Sequence, residues 1–190
     1  MEGYDFSHHQ NTGTIKTYLA TGPDFIFHKL TEGSTYRDPE VYNRVKMLKE
    51  YPLFFYHYLR ADKGNMTGEV NNLVNSLNLT TLRPDQYGVA IDIEYSVKTG
   101  GTKNTDLEYV KRFMDLLNSK IKKRYIIYMP DTYSAAWYQW IREKDLGLWI
   151  ARYRTQQPNH ACDFWQNTSK PVDHDFFYGS KEKLYSFIGG

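Results

Sequence analysis

Val89-Ala90-Ile91-Asp92-Ile93-Glu94-Tyr95 is an apolar, β-branched run with two acids set into it. A strand sends successive side chains to opposite faces, so Asp92 and Glu94 point one way while Ile91, Ile93 and Tyr95 point the other. Two carboxyls held about 7 Å apart by the strand repeat do not both ionise freely; one stays charged and the pKa of the other rises. That pairing suits an acid and its partner. A strand end whose acids meet solvent or an arginine is the plainer alternative.

Around this stretch, β runs recur at 3–6, 25–30, 53–59, 124–129 and 147–153, with helical patterns between them. Asp38-Pro39 supplies a capping acid and a first-turn proline ahead of Val41, Val45 and Leu48. Val70, Leu73 and Leu77 share one face of a helix over 66–77. Thr105-Asp106-Leu107-Glu108 is a capping box before the stripe Leu107, Val110, Met114, Leu117 and Ile121. A further helix is expected over 133–143. The pattern then changes: 163–166 and 172–177 are β runs with no room for a helix between them, and a closing helix follows over 180–187. Asn11-Thr12-Gly13, Gly100-Gly101 and 156–159 read as breaks or loops.

This order predicts an α/β fold, a modified TIM-like barrel of five βα units followed by three β-strands, in a single domain spanning residues 1–190. Function in such barrels gathers at the C-terminal ends of the strands. Asp5, the polar residues after the second run, His57, the Asp92/Glu94 pair and Tyr128 are expected to meet there.

Composition narrows the function classes. With 24 basic and 22 acidic residues the net charge is +2, too small a field to argue for nucleic acid, and no membrane partner is expected either. No run approaches the roughly 18 apolar residues of a membrane span, and Met1-Glu2-Gly3-Tyr4-Asp5 has neither the basic nor the apolar region of a signal peptide. The single cysteine, Cys162, rules out an intramolecular disulfide and a Cys-based zinc site. No Gly-x-Ser-x-Gly or glycine-rich phosphate loop occurs. The 17 Tyr, 10 Phe and 4 Trp suit an aromatic core or a cleft that stacks on sugar rings.

Gathered at one barrel mouth, Asp5, Asp92, Glu94 and Asp173 would make an acidic pocket walled by Tyr56, Tyr128, Trp149 and Trp165. Glycoside hydrolysis needs this equipment: a protonated acid for the leaving oxygen, an anion for the positive ring and aromatic faces for the sugar. It requires no cofactor. A metal-dependent hydrolase is the rival reading, with Asp5, His8, His9, His57 and the paired acids as ligands, but no His-x-x-x-His spacing supports it and no metal site is assigned. Each histidine has a hydrogen-bonded core or rim position as its plainer reading. A glycan-binding barrel without turnover is the alternative from a different class.

The chain resembles glycoside hydrolase family 25, the N-acetylmuramidase-type lysozymes of phage endolysins, bacteria and fungi. Gly3-Tyr4-Asp5-Phe6-Ser7-His8-His9-Gln10 looks like its opening motif, and Lys29-Leu30-Thr31-Glu32-Gly33 with Tyr36 and Asp38-Pro39 like its second. Tyr56-His57-Tyr58, Asp92-Ile93-Glu94, Trp149-Ile150-Ala151-Arg152-Tyr153, Trp165-Gln166 and Val172-Asp173 follow in the family's order. The resemblance implies cleavage of the β-1,4 bond between N-acetylmuramic acid and N-acetylglucosamine, with bacterial peptidoglycan strands as the partner; a monomer is the expected form. It also implies Glu94 as general acid/base, Asp92 as the group that steadies charge at the reacting sugar, and Asp5 and Asp173 as the rest of an acidic floor. Tyr56, Tyr128, Trp149, Lys29 and Glu32 are the implied substrate contacts. Action on the bacterial cell wall is expected, with synthesis in the cytoplasm and release, or with a leader removed. Tyr4, Phe6, Asn167, the short 168–171 link and His174-Asp175 depart from the family pattern; spacing favours Asp173 over Asp175 as the inward aspartate.

Overall fold

The computed structural model describes residues 1–94 and 106–189. Eight strands close into a barrel in the order β1 (Glu2–Phe6), β9 (Asp173–Phe177), β8 (Phe164–Thr168), β7 (Gly147–Ala151), β6 (Ile126–Pro130), β5 (Gly88–Asp92), β4 (Leu53–Tyr58) and β2 (Phe25–Glu32), with β2 pairing back onto β1. A two-residue strand, β3 (Tyr36–Arg37), adds antiparallel to the end of β2. Neighbours are parallel around the barrel except at β9, which runs antiparallel to both β8 and β1. That reversal brings the start of β9 to the mouth where the parallel strands end.

Helices α1 (Thr12–Leu19), α2 (Val41–Leu48), α3 (Met66–Leu79), α4 (Leu107–Lys120) and α5 (Ala135–Glu143) follow the first five barrel strands. The last three strands carry none between them, as the sequence pattern predicts. Outward residues such as Ile26, Phe55, Ile91 and Ile127 pack with Leu73, Phe113 and Leu117 of the helices to form the larger core. Burying such a side chain contributes about 1.5–3 kcal/mol.

Inward residues form a second, aromatic core: Phe25, Phe27, Phe54, Ile126, Trp149, Phe164 and Phe177. The closing helix, α6 (Lys181–Gly189), plugs the barrel from below with Leu184, Phe187 and Ile188. Two glycines make room for it. A Cβ on Gly88 would lie 3.0 Å from the Phe187 carbonyl oxygen, and one on Gly147 would lie 2.7 Å from the Phe187 ring. The barrel is thus solid to within one layer of its mouth.

Three local expectations change. Asn11-Thr12-Gly13 is the start of α1 rather than a break, because the Asn11 side chain accepts the Thr14 N–H and caps the helix. Asp38 does not cap α2: its carboxyl accepts the N–H groups of Glu40 and His8, and the helix begins at Val41. The cap of α4 is Asp106, which accepts from Glu108 N–H, while Thr105 of the expected capping box, Tyr95 and the Gly100-Gly101 turn lie outside the described residues.

Candidate active site

Strand alternation decides which side chains reach the mouth. Asp5, Tyr56, Asp92, Tyr128 and Trp149 are the inward residues near the ends of β1, β4, β5, β6 and β7, and Gln166 and Asp173 are those of β8 and β9. With Glu94 and Tyr153 they line a cleft of ≈ 140 Å³. Glu94 lies two residues beyond Asp92, past the end of β5, yet still turns into the cleft. The four acids inferred from the sequence therefore converge.

Gln166 organises the floor. Its Oε1 accepts the hydroxyls of Tyr128 and Tyr153, each at 2.8 Å, which turns its amide nitrogen to Asp5; Nε2 donates to Asp5 Oδ2 at 2.6 Å. Trp149 is only 2% exposed, its face stacked on Phe27 at 4.0 Å, and its indole N–H donates to Asp175 Oδ1 at 2.8 Å. It is floor rather than a stacking wall. Asp173 and Asp175 both point inward, being two apart on β9; Asp173 lines the cleft and Asp175 lies beneath it with no exposure. Gln166, Tyr153 and Asp175 are the residues the sequence reading did not place in the site, though the alternation that picks out Asp173 also predicts Asp175.

Lys29 and Glu32 sit on the rim as an ion pair 2.7 Å apart, with Arg60 3.0 Å from the other Glu32 oxygen. Lys29 also lies over the Tyr58 ring at 5.2 Å. It reaches the acids through its field. Two expected members are elsewhere. Trp165 faces out of the barrel, since its neighbours Phe164 and Gln166 face in, and donates to the Arg152 carbonyl at 2.9 Å. His57 is on the outer face of β4, fully buried between Thr31 and Glu69 and stacked on Phe113. His8 bonds to Asp38 and Tyr36 at the rim. The imidazoles that a metal site needed do not meet the acids, and among the described residues no His, Cys, Asp and Glu group has a metal-holding arrangement.

Burial sets the electrostatics. It raises the pKa values of Asp5, Asp92 and Asp175 well above the ordinary carboxylate range, with Asp173, Glu94 and Asp5 respectively adding repulsion. Glu94 is raised less: burial pushes it up, while Lys29 and a hydrogen bond with Asp92 pull it down. Asp173 is raised to about 6, chiefly by burial. Asp92 and Glu94 interact closely enough that their protons belong to the pair rather than to either residue.

Stability carries the same signature. A carboxyl whose pKa is higher folded than unfolded makes the folded chain bind more protons between the two values, so stability falls as pH rises through that window. His28, lowered to about 4 by burial, acts the opposite way below its ordinary value of 6.5. Three deeply buried carboxyls outweigh one imidazole. The melting temperature is expected to be higher near about pH 5 than near about pH 8, as measured by differential scanning fluorimetry; a rise toward pH 8 would contradict carboxyl pKa values raised on folding.

Comparison with known proteins agrees with this geometry. Residues 4–176 match the sequence profile of Glycosyl hydrolases family 25. The chain belongs to this family. Over 166 residues it is 29% identical to the autolytic lysozyme of Clostridium acetobutylicum, covering 84% of this chain and 47% of that protein. The chain therefore spans about half the length of the curated relative it matches. A bacterial lysozyme from Streptomyces coelicolor superposes with a TM-score of 0.78 at 18% identity, over 100% of this chain and 97% of that one. A family GH25 lysozyme from Aspergillus fumigatus gives 0.77 at 21% identity, over 100% and 99%. At these identities the structural likeness speaks for the fold, the closed barrel with its outer helices.

Proposed function

We propose that this family 25 chain is a peptidoglycan hydrolase that cleaves the β-1,4 bond after N-acetylmuramic acid, with residues 1–190 acting as one catalytic unit. The observation that carries the reading is the placement of Asp92 and Glu94 together, beside Asp5 and Asp173, in a cleft at the barrel mouth. Similarity to a protein described as an autolytic lysozyme supports it.

In this reading Glu94, half-buried and able to reach solvent, delivers the shared proton to the leaving oxygen and afterwards takes one from water. Asp92 is more deeply buried and its Oδ1 finds no donor among the described residues. It is placed to accept the N–H of a 2-acetamido group and to steady the charge that builds as that group's oxygen attacks the anomeric carbon. Asp5 and Asp173 lower the energy of a positive ring by their field, and a cleft of low dielectric makes that field count. The expected acting form is a monomer on the wall, with no metal or other cofactor.

Digestion of purified peptidoglycan in EDTA, followed by borohydride reduction and mass spectrometry, tests the proposal. Muramitol ends and undiminished turnover in EDTA are expected. Glucosaminitol ends would assign the other glycosidic bond, loss of turnover restored by zinc or manganese would favour the metal hydrolase, and wall binding without new ends would favour the non-catalytic barrel.

A further inference from the structure

Asp175 is fully buried beneath the cleft and has no role in the chemistry above. It lies on β9 opposite Gly3 and Gln166, two residues from Asp173, which pairs with Asp5. The donors around it fix where protons sit. An indole N–H only donates, so Asp175 Oδ1, at 2.8 Å from Trp149 Nε1, is an acceptor. Gln166 Oε1 is occupied by two tyrosine hydroxyls, so its amide nitrogen faces Asp5, and Asp5 Oδ2 is an acceptor too. Asp175 Oδ2 is left without a donor among the described residues, and Asp5 is its inward neighbour on the adjoining strand; a hydrogen bond between the two carboxyls raises the pKa of Asp175 and lowers that of Asp5. Two carboxylates cannot satisfy each other; an acid and a carboxylate can.

We propose that Asp175 is a positioning residue for Asp5: its carboxyl stays protonated at Oδ2 and donates to Asp5, so that Asp5 faces the glycan as an anion. The proton belongs on the deeper group because charge is less costly at the cleft surface than beneath it. The neighbours agree: Asp173 on the same strand and Glu94 beyond β5 add negative charge, Gln166, Trp149, Tyr56 and Tyr128 from β8, β7, β4 and β6 are neutral, and the cation on β2, Lys29, acts on Asp92 and Glu94 instead. Burial raises the Asp175 pKa, in keeping with a neutral acid. The inference rests on the proposed hydrolysis for its consequence but not for its chemistry.

Asp175→Asn keeps an oxygen for Trp149 and presents an N–H to Asp5; Asp175→Leu keeps the volume and removes the donor. In pH profiles of wall hydrolysis, Asp175→Asn should retain activity within about threefold, with its acid limb displaced by less than about half a pH unit. Asp175→Leu should move the acid limb up by more than about one unit, with activity partly recovered at higher pH, because Asp5 then takes up a proton more readily. A displaced limb in Asp175→Asn, or an equal loss at every pH in Asp175→Leu, would overturn the proposal. Infrared spectra at pH 7 give an arm independent of activity and of whether Asp175→Leu folds. A carboxylic-acid carbonyl band present in wild type and missing from Asp175→Asn is expected, and no difference would show that Asp175 holds no proton. If the wild-type protein does not cut peptidoglycan, the functional reading fails and the infrared band still decides this one.

Discussion

Glu94→Gln is expected to lower peptidoglycan hydrolysis by at least about 100-fold while leaving the fold intact, since general acid catalysis contributes roughly 10²–10⁴. The amide matches the carboxyl in size and can still hydrogen bond to Asp92, so neither the cleft nor the partner is disturbed. It cannot give up a proton to a leaving sugar. Glu94 is also the acid of the pair with access to solvent, whereas Asp92 is buried among Glu94, Asp5 and the end of β5. Release of reducing ends by wild type and variant, each checked by circular dichroism and melting temperature, measures the effect. Turnover near the wild-type rate in a folded variant would remove Glu94 from the acid's role.

The second large effect concerns the substrate. Glycosidases that form a covalent intermediate hold their two carboxyls about 5–5.5 Å apart, and inverting enzymes hold them about 6.5–9.5 Å apart to admit a water. Asp92 and Glu94 start from strand spacing near the upper range, and side-chain rotamers can bring their oxygens into either range. Spacing alone does not choose between these two geometries. We propose a third route, in which the 2-acetamido oxygen of the substrate is the nucleophile, with net retention and no lasting glycosyl-enzyme ester, and Asp92 beside Glu94 in the cleft steadies the positive ring. Glycan whose muramic acid has lost its N-acetyl group should therefore be cut at least about 100-fold more slowly, the scale on which losing an oriented internal nucleophile is felt. The first anomer released from normal glycan, followed by NMR, should be the retained one. Undiminished cleavage of the de-N-acetylated strand, or an inverted first product, would rule this route out.

Much of this architecture is legible in the residues because two periodicities carry it. The apolar stripe through Val110, Met114 and Leu117 and the alternation around Asp92 each specify a face, and a barrel turns those faces into inside and outside. Alternation also explains the errors. Tyr56 and His57 are adjacent, so only one of them can enter the cleft, and the same parity sends Gln166 in and Trp165 out. Helix α1 escaped notice because Thr12-Gly13-Thr14 and Thr17 are poor helix formers and only Ile15 and Leu19 are buried along it. Its existence depends on the Asn11 cap and on packing. The Gln166 hub was not legible, because a glutamine in a strand announces nothing until Tyr128 of β6 and Tyr153 just past β7 fix its orientation.

The hydrogen bond from Gln166 to Asp5 joins residues 161 positions apart. Closing a loop of that length costs about 2 kcal/mol more than closing a βα unit of some 20 residues, and no contact rewards it until β9 fits between β8 and β1. The order of folding follows from this: the consecutive parallel units form by short-range steps, and the seam between the two ends of the barrel is sealed last. Because Asp5 comes from one side of that seam and Asp173 from the other, the molecule has no working cleft before the final step. A chain emerging from the ribosome is inert until β9 has been made, and in refolding experiments hydrolytic activity should return with the slowest phase rather than with helix formation.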